Sequence, residues 1–141
     1  MTDTHAIRLS EVAGTVLTRI LVVEDDPVIG AATGLALEEA GGFTVAICDH
    51  GAAVLDTARR FRPDLLLLDA DLPDMDGLSI LSALRRDPDL AGLPTIFVTG
   101  YARPADTDRY RALSALGVIA KPFDPLDLAD RVREIWEAGH G

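Results

Sequence analysis

Short, almost unbroken apolar runs alternate along the chain with longer stretches in which apolar and polar positions mix. Ile20-Leu21-Val22-Val23, Leu65 to Leu68, Pro94-Thr95-Ile96-Phe97-Val98 and Gly117-Val118-Ile119-Ala120 have the length of strands. A strand covered on both faces needs this continuity, because its inward and outward side chains are equally hidden from water. The pattern predicts strands near 19–24, 43–48, 64–69, 94–98 and 117–120, with helices near 27–40, 51–61, 76–86, 104–115 and 125–138. Punctuation agrees with these elements: Gly41-Gly42 closes the first helix, Pro63 follows the second, and Pro94 introduces the fourth strand. Strands that alternate with helices are βαβ units, so the expected class is α/β, a five-stranded parallel sheet with five helices on its two faces. Residues 1–18 precede the pattern as an N-terminal extension, 19–138 make one domain, and no stretch remains for an output domain.

The strands end in polar residues. Leu65 to Leu68 run into Asp69, which opens Asp69-Ala70-Asp71-Leu72-Pro73-Asp74-Met75-Asp76-Gly77. A carboxylate at the carboxyl end of a buried strand, beside a Pro/Gly-rich loop, stands where open α/β sheets place their chemistry. A capping role for the loop is the plainer alternative. The first strand likewise runs into Glu24-Asp25-Asp26-Pro27. Acid runs ordinarily face solvent. Here Asp26-Pro27 reads as helix N-cap and first helical residue, which leaves Glu24 and Asp25 at the strand end. If the two strands are parallel neighbours, Glu24, Asp25 and Asp69 converge into an oxygen-rich pocket suited to a hard divalent ion, Mg²⁺ above all. Strand four leads to Thr99-Gly100, a hydroxyl next to a residue with no side chain, which is equally ordinary turn material. Strand five leads to Lys121-Pro122-Phe123, where a lysine can place a point charge on the acids or on a phosphate, and a cis peptide at Pro122 would aim it inward.

At 141 residues the chain has room for one full core, and with nearly half its residues apolar it is globular. A net charge of −10 argues against nucleic acid and anionic membrane as partners, since both require basic patches. The single Cys48 falls in a predicted strand and is expected as a small buried hydrophobe. No apolar stretch reaches membrane-spanning length and no secretory signal opens the chain, so a cytoplasmic location is expected.

Taken in order, Leu21-Val22-Val23-Glu24-Asp25-Asp26, Leu66-Leu67-Leu68-Asp69 through Pro73 and Met75-Asp76-Gly77, Val98-Thr99-Gly100 and Lys121-Pro122-Phe123 resemble the receiver domain of two-component response regulators. The resemblance covers about residues 19–138 and suggests a stand-alone, chemotaxis-regulator-like protein. It implies a flavodoxin-like doubly wound sheet of order 2-1-3-4-5 with the site at the switch point. Carried over position by position, Asp69 is the phosphoacceptor, and Glu24, Asp25 and Asp69 hold Mg²⁺ together with the backbone carbonyl of Asp71. Thr99 and Lys121 would bind phosphoryl oxygens. The implied partners are a sensor histidine kinase or histidine phosphotransfer protein, and a downstream target protein. The implied chemistry is self-phosphorylation and autodephosphorylation without enzymatic turnover.

Two features depart from the family pattern. The aromatic residue often found three before the lysine is Val118 here, which has no ring to swing. Asp71 and Tyr101, each two after a site residue, occupy positions that tune phosphoryl lifetime in the family, and Tyr101 is expected to shield the aspartyl phosphate. Gly30, Ala31, Ala32 and Gly34 would let a donor's helices approach the first helix, or would serve close packing inside the fold. Homodimers of the family form through the fourth helix, fifth strand and fifth helix, where Arg103, Asp106, Arg109, Asp127 and Arg131 could make an ion-pair face or be solvated. Three rivals compete: a haloacid-dehalogenase-type phosphatase using Asp69-Ala70-Asp71, a pseudo-receiver that is never phosphorylated, and a receiver excised from a hybrid kinase or larger regulator. The first lacks a late acidic motif, and the second must explain why every site position is chemically intact.

Overall fold

The fold is given by a computed structural model, which describes residues 16–100 and 104–140. The chain runs β1 (Arg19–Val23), α1 (Pro27–Gly41), β2 (Thr44–Cys48), a 3-10 turn (Gly51–Ala53) leading into α2 (Val54–Phe61), and β3 (Leu65–Asp69). It continues through α3 (Gly77–Arg86), β4 (Thr95–Thr99), α4 (Pro104–Ala112), β5 (Gly117–Ala120) and α5 (Pro125–His140). All pairings are parallel and the strand order is β2-β1-β3-β4-β5. This is the doubly wound, flavodoxin-like sheet expected from the sequence.

The four leucines of β3 have no polar break because they serve two cores. Leu65 and Leu67 join Ile20, Val22, Ile96, Val98 and Ile119 under α1 and α5, where Leu37, Leu128, Val132 and Trp136 close over them. Leu66 and Leu68 join Leu21, Val23 and Phe97 on the opposite face, under Val54, Ile80, Leu81, Leu84 and Tyr110. Successive side chains of a strand point to opposite faces, so a central strand with helices on both sides must be apolar throughout. The edge strand β2 is different: Thr44 and Ile47 are exposed. Cys48 is buried, as expected of a small hydrophobe.

Local chemistry sets the helix ends. Asp26 caps α1, its carboxylate accepting from the N–H groups of Val28 (2.8 Å) and Ile29 (3.1 Å), with Pro27 at the first position. Gly42 closes the helix with φ +72°, a conformation that costs glycine no side-chain clash. The 51–61 segment differs from the single helix expected, because its first turn is 3-10 and His50 gives it no side-chain cap. The missing acceptor comes from the β3–α3 loop, where Asp74 takes the N–H groups of Gly51 (2.9 Å) and Ala52 (3.1 Å). Helix α4 also stops short of the expected residue 115, at Ala112, and Ser114 turns the chain with φ 62°. The Leu113 and Ser114 carbonyls freed by this turn accept from the Arg85 guanidinium at 3.0 and 3.3 Å.

Of the N-terminal extension, residues 1–15 lie outside the described residues. Its last residues are tied to the sheet: Leu17 is buried, and the Thr18 N–H donates to Asp64 at 3.0 Å.

Candidate functional site

Strand register brings the site together. Val23 pairs with Leu68, so Glu24 and Asp69 follow side by side at the carboxyl edge of the sheet. Asp69 pairs with Val98 and Thr99 with Ala120, so Thr99 and Lys121 come next along the same edge. The ladders run one residue past the strands, through Glu24 N–H to Cys48 O (3.0 Å), Ala70 N–H to Val98 O (2.9 Å) and Lys121 N–H to Thr99 O (2.8 Å). The side chains are therefore placed by backbone bonds of the sheet itself, which is more rigid than a loop.

Asp69 is 2% exposed, Glu24 7%, and Thr99 is fully buried. Lys121 Nζ donates to Asp69 Oδ1 at 2.9 Å, and the Asp71 N–H donates to the same oxygen at 2.8 Å. The Lys121–Pro122 peptide is cis. Desolvation would lower the Lys121 pKa, but its hydrogen bond to Asp69 and the charges of Asp69, Glu24 and Asp71 hold the ammonium above its ordinary value. Carboxylate oxygens of Glu24, Asp25 and Asp69 lie within 4.8 Å of one another. Three hard oxygen donors this close, two of them buried, fit a small divalent cation and repel one another without one. That repulsion registers on Glu24. Burial pushes its carboxyl up to about 7, helped by the Asp69 charge and a hydrogen bond with Asp25, against the opposing pull of the Asp26 N–H and Lys121.

A pH dependence follows. The Glu24 pKa rises from an ordinary 4.5 to about 7 on folding. Its contribution to stability is thus fully present below pH 4.5 and is lost as pH rises through 7. In metal-free solution Glu24→Gln, which keeps an oxygen for the Asp26 N–H, should match wild type near pH 5. At pH 8 it should be more stable by on the order of 2 kcal/mol, given about 1.4 kcal/mol per pKa unit. Urea titrations at the two pH values read this directly, and an equal difference at both would remove Glu24 ionisation as the cause.

Two contacts in the site carry no local sequence signal. The Asp71 carboxylate turns toward the β4–α4 loop, where Oδ2 accepts the Gly100 N–H at 3.2 Å and stands 4.0 Å from Lys121 Nζ. Asp74 ties the loop after Asp69 to the α2 entrance, as described above. Gly77 closes that loop against the core: a Cβ there would stand 2.8 Å from Ala70 Cα and from the Phe97 ring.

Other expected features divide. Gly30 and Gly34 are buried against β2, where a Cβ would meet Ile47 at 3.4 and 3.1 Å, so they serve packing inside the fold and leave only Ala31 and Ala32 outward. Val118 is half-buried against the α2–α3–α4 core and pairs across the sheet with Phe97, on whose ring Tyr110 of α4 stacks with centroids 4.2 Å apart. Tyr101 and Arg103 fall outside the described residues, as does the side chain of Asp106. Among the described residues Arg109, Asp127 and Arg131 are exposed and form no ion pair with one another. No helix among them is long and apolar enough to cross a membrane.

The family model of the response regulator receiver domain matches residues 20–133. The DNA-binding response regulator MtrA of Mycolicibacterium smegmatis is 36% identical over 119 residues, covering 84% of this chain and 50% of MtrA. The transcriptional regulatory protein CseB of Streptomyces coelicolor is 38% identical over 118 residues, covering 84% of this chain and 49% of CseB. The chain thus spans about half the length of the curated relatives it matches. Among solved structures, the chemotaxis response regulator CheY4 of Vibrio cholerae superposes with a TM-score of 0.77 at 25% identity, over 85% of this chain and 99% of that one. A CheY-like receiver domain protein from Methanospirillum hungatei gives 0.75 at 31% identity, over 88% and 97%.

Proposed function

The chain belongs to the response regulator receiver family of two-component systems, and from that premise we propose that it takes a phosphoryl group onto Asp69 and signals through the modified state. The observation that carries this reading is the company Asp69 keeps. It is a buried carboxylate with Lys121 at 2.9 Å on one side and the Glu24 and Asp25 oxygens within 4.8 Å on the other.

Oδ1 of Asp69 is held by Lys121 and the Asp71 N–H, so the carboxylate plane is fixed and Oδ2 is the oxygen offered to phosphorus. Oδ2 forms the new bond to phosphorus, and the donor's phosphorus–nitrogen or acyl phosphorus–oxygen bond breaks, its electron pair leaving with the donor. Phosphoryl transfer asks mainly for alignment and positive charge on the three equatorial oxygens. Lys121 supplies charge, and the buried Thr99, in register with Ala120 at the end of the neighbouring strand, would offer its hydroxyl to a second phosphoryl oxygen. Receiver domains generally bind Mg²⁺, which here would be held by Glu24, Asp25, Asp69 and the Asp71 carbonyl. Bound there, it would offset the mutual repulsion of these acids and the charge of the incoming phosphate.

The donor we favour is a histidine kinase or phosphotransfer protein docking on α1. That helix shows solvent an uncharged surface of Val28 (75% exposed), Ala31, Ala32 and Leu35 (54%) beside the site, and α5 adds Leu126 (80%) where it begins at the same edge. The acidic balance of −10 favours a protein target over nucleic acid for this unit, which we place at residues 19–138 and in the cytoplasm. Intact-protein mass after incubation with acetyl phosphate tests the proposal. One phosphoryl group should be gained with Mg²⁺ and none with chelator. An unmodified folded protein in both would leave a pseudo-receiver, whose role is binding alone.

A further inference from the structure

We propose that the groove between α3 and α4 binds an acidic segment of a partner protein, one in which an apolar side chain is flanked by carboxylates. The site is separate from Asp69 and requires no modification of it.

An open cavity of about 450 Å³ lies between the two helices. On α3, Ser79, Ser82 and Arg86 line it at spacings of three and four, so they share one face of the helix. At 1.5 Å per residue they span about 10 Å along it. Arg109 and Ala112 of α4 stand across from them. Leu78 and Leu113, half-buried against the core beneath, make an apolar floor. Arg85 joins the two walls, donating to the Leu113 carbonyl at 3.0 Å and the Ser114 carbonyl at 3.3 Å. The groove is thus preformed, which favours binding because little has to be ordered.

Charge sets this groove apart from the rest of the chain. The sequence holds 23 acids against 13 lysines and arginines, yet the groove is lined by two arginines and no acid. Several other arginines are engaged within the molecule: Arg59 by Asp87, Arg60 by Asp56, and Arg19, Arg85 and Arg133 by backbone carbonyls. Arg86 and Arg109 are exposed and have no ion pair or hydrogen bond among the described residues. Each stands in the last turn of its helix, where the dipole favours a cation. The dipole explains a charge at either position, but neither the serine hydroxyls beside Arg86 nor the leucine floor. A guanidinium offers a carboxylate two parallel N–H donors, and the hydroxyls add donors along the same wall. An inorganic anion would use the arginines and leave the leucines to water, whereas an acidic segment with one apolar residue uses both. About three extended residues cover the α3 wall.

The capped peptide Glu-Glu-Leu-Glu-Glu, titrated into the isotope-labelled full chain and followed by amide NMR, tests the proposal. Saturable shifts should centre on Leu78, Ser82, Arg86, Arg109 and Leu113. Arg86→Gln and Arg109→Gln should each weaken binding by about five-fold, the upper range for an exposed ion pair, and together by roughly 25-fold. Arg111→Gln removes the same charge from α4 outside the groove and should leave the affinity unchanged. Serine in place of the peptide's leucine should weaken binding by roughly ten-fold, as expected when an apolar side chain loses a partly covered site. Equal weakening by Arg111→Gln would mean that overall charge attracts the peptide, and equal binding of the serine peptide that the floor is unused. Either result overturns the proposal. Tighter saturation of the same residues by potassium phosphate would make the groove a small-anion site instead. The same shifts on raising the protein concentration alone would seat a second copy there, and no shifts at these residues would remove the site altogether.

Discussion

Asp69→Ala should take up no phosphoryl group from acetyl phosphate under conditions in which the wild-type protein is fully modified. The expected loss is on the order of a thousand-fold or more in initial rate, the scale on which nucleophile deletions act. Three other carboxylates stand close by, and each is unsuited to replace it. Glu24 is pushed up to about 7, so a substantial fraction carries a proton at neutral pH, and Oε2 is engaged by the Asp26 N–H at 3.1 Å. Asp25 is exposed, where water competes for its oxygens. Asp71 is turned toward Gly100. Asp69 alone is buried at the end of a central strand with one oxygen pinned by an ammonium and an N–H. Intact mass and acid-labile phosphate report the result. A variant modified at the wild-type rate, with peptide mapping on Glu24 or Asp25, would move the acceptor to another strand end.

The same residues show which parts of the molecule are written locally in the chain. Leu65 to Leu68 followed by Asp69 announces a central strand and its functional end, because burial on both faces is a property of the run itself. Asp26-Pro27 and Gly41-Gly42 fix the two ends of α1 by backbone chemistry that acts within a few residues. The acids converge because parallel strands deliver their carboxyl ends to one edge, so two local readings and one topological rule suffice. What could not be read depends on partners far apart in sequence. Asp74 caps the turn at Gly51 from 23 positions away, so the first turn of the 51–61 segment looked like ordinary helix. Gly30 and Gly34 read equally as an open face or as internal packing, because nothing in α1 says that Ile47 lies beneath them. Val118 left the relay without its usual ring, and no periodicity could show that Tyr110 of α4 would lie on Phe97. The Asp71–Gly100 contact spans two loops and depends on a side-chain rotamer, a level of detail that spacing does not reach.

Arg85→Ala should destabilise the fold by about 3 kcal/mol, while each folded molecule is still modified at Asp69 at the wild-type rate. Arg85 lies in the last turn of α3, and its guanidinium donates to Leu113 O (3.0 Å), Ala91 O (3.2 Å), Leu93 O (2.9 Å) and Ser114 O (3.3 Å). One side chain thereby joins the α3–β4 connection to the α4–β5 connection. Burial lowers its pKa, yet the group remains a cation at any working pH, and hydrogen bonds to a charged donor are worth roughly 1.5–3 kcal/mol each. The four bonds share one charge, and some carbonyls regain water when it is lost, so the net is well below their sum. The neighbouring structure sharpens the expectation. Ser114 is held at φ 62°, outside the range most residues prefer, and two of the carbonyls Arg85 binds flank that turn. Removing the clasp should loosen the turn and with it the end of α4 that carries Tyr110 over Phe97. For a domain of this size about 3 kcal/mol corresponds to a fall of about 10 °C in Tm. Arg85→Lys should recover less than half of it, because an ammonium is a point donor and cannot span four carbonyls. The loops it joins lie at the amino edge of the sheet, opposite Asp69, which is why uptake per folded molecule should hold. A shift below about 3 °C for Arg85→Ala would mean that water replaces the guanidinium at these carbonyls without loss.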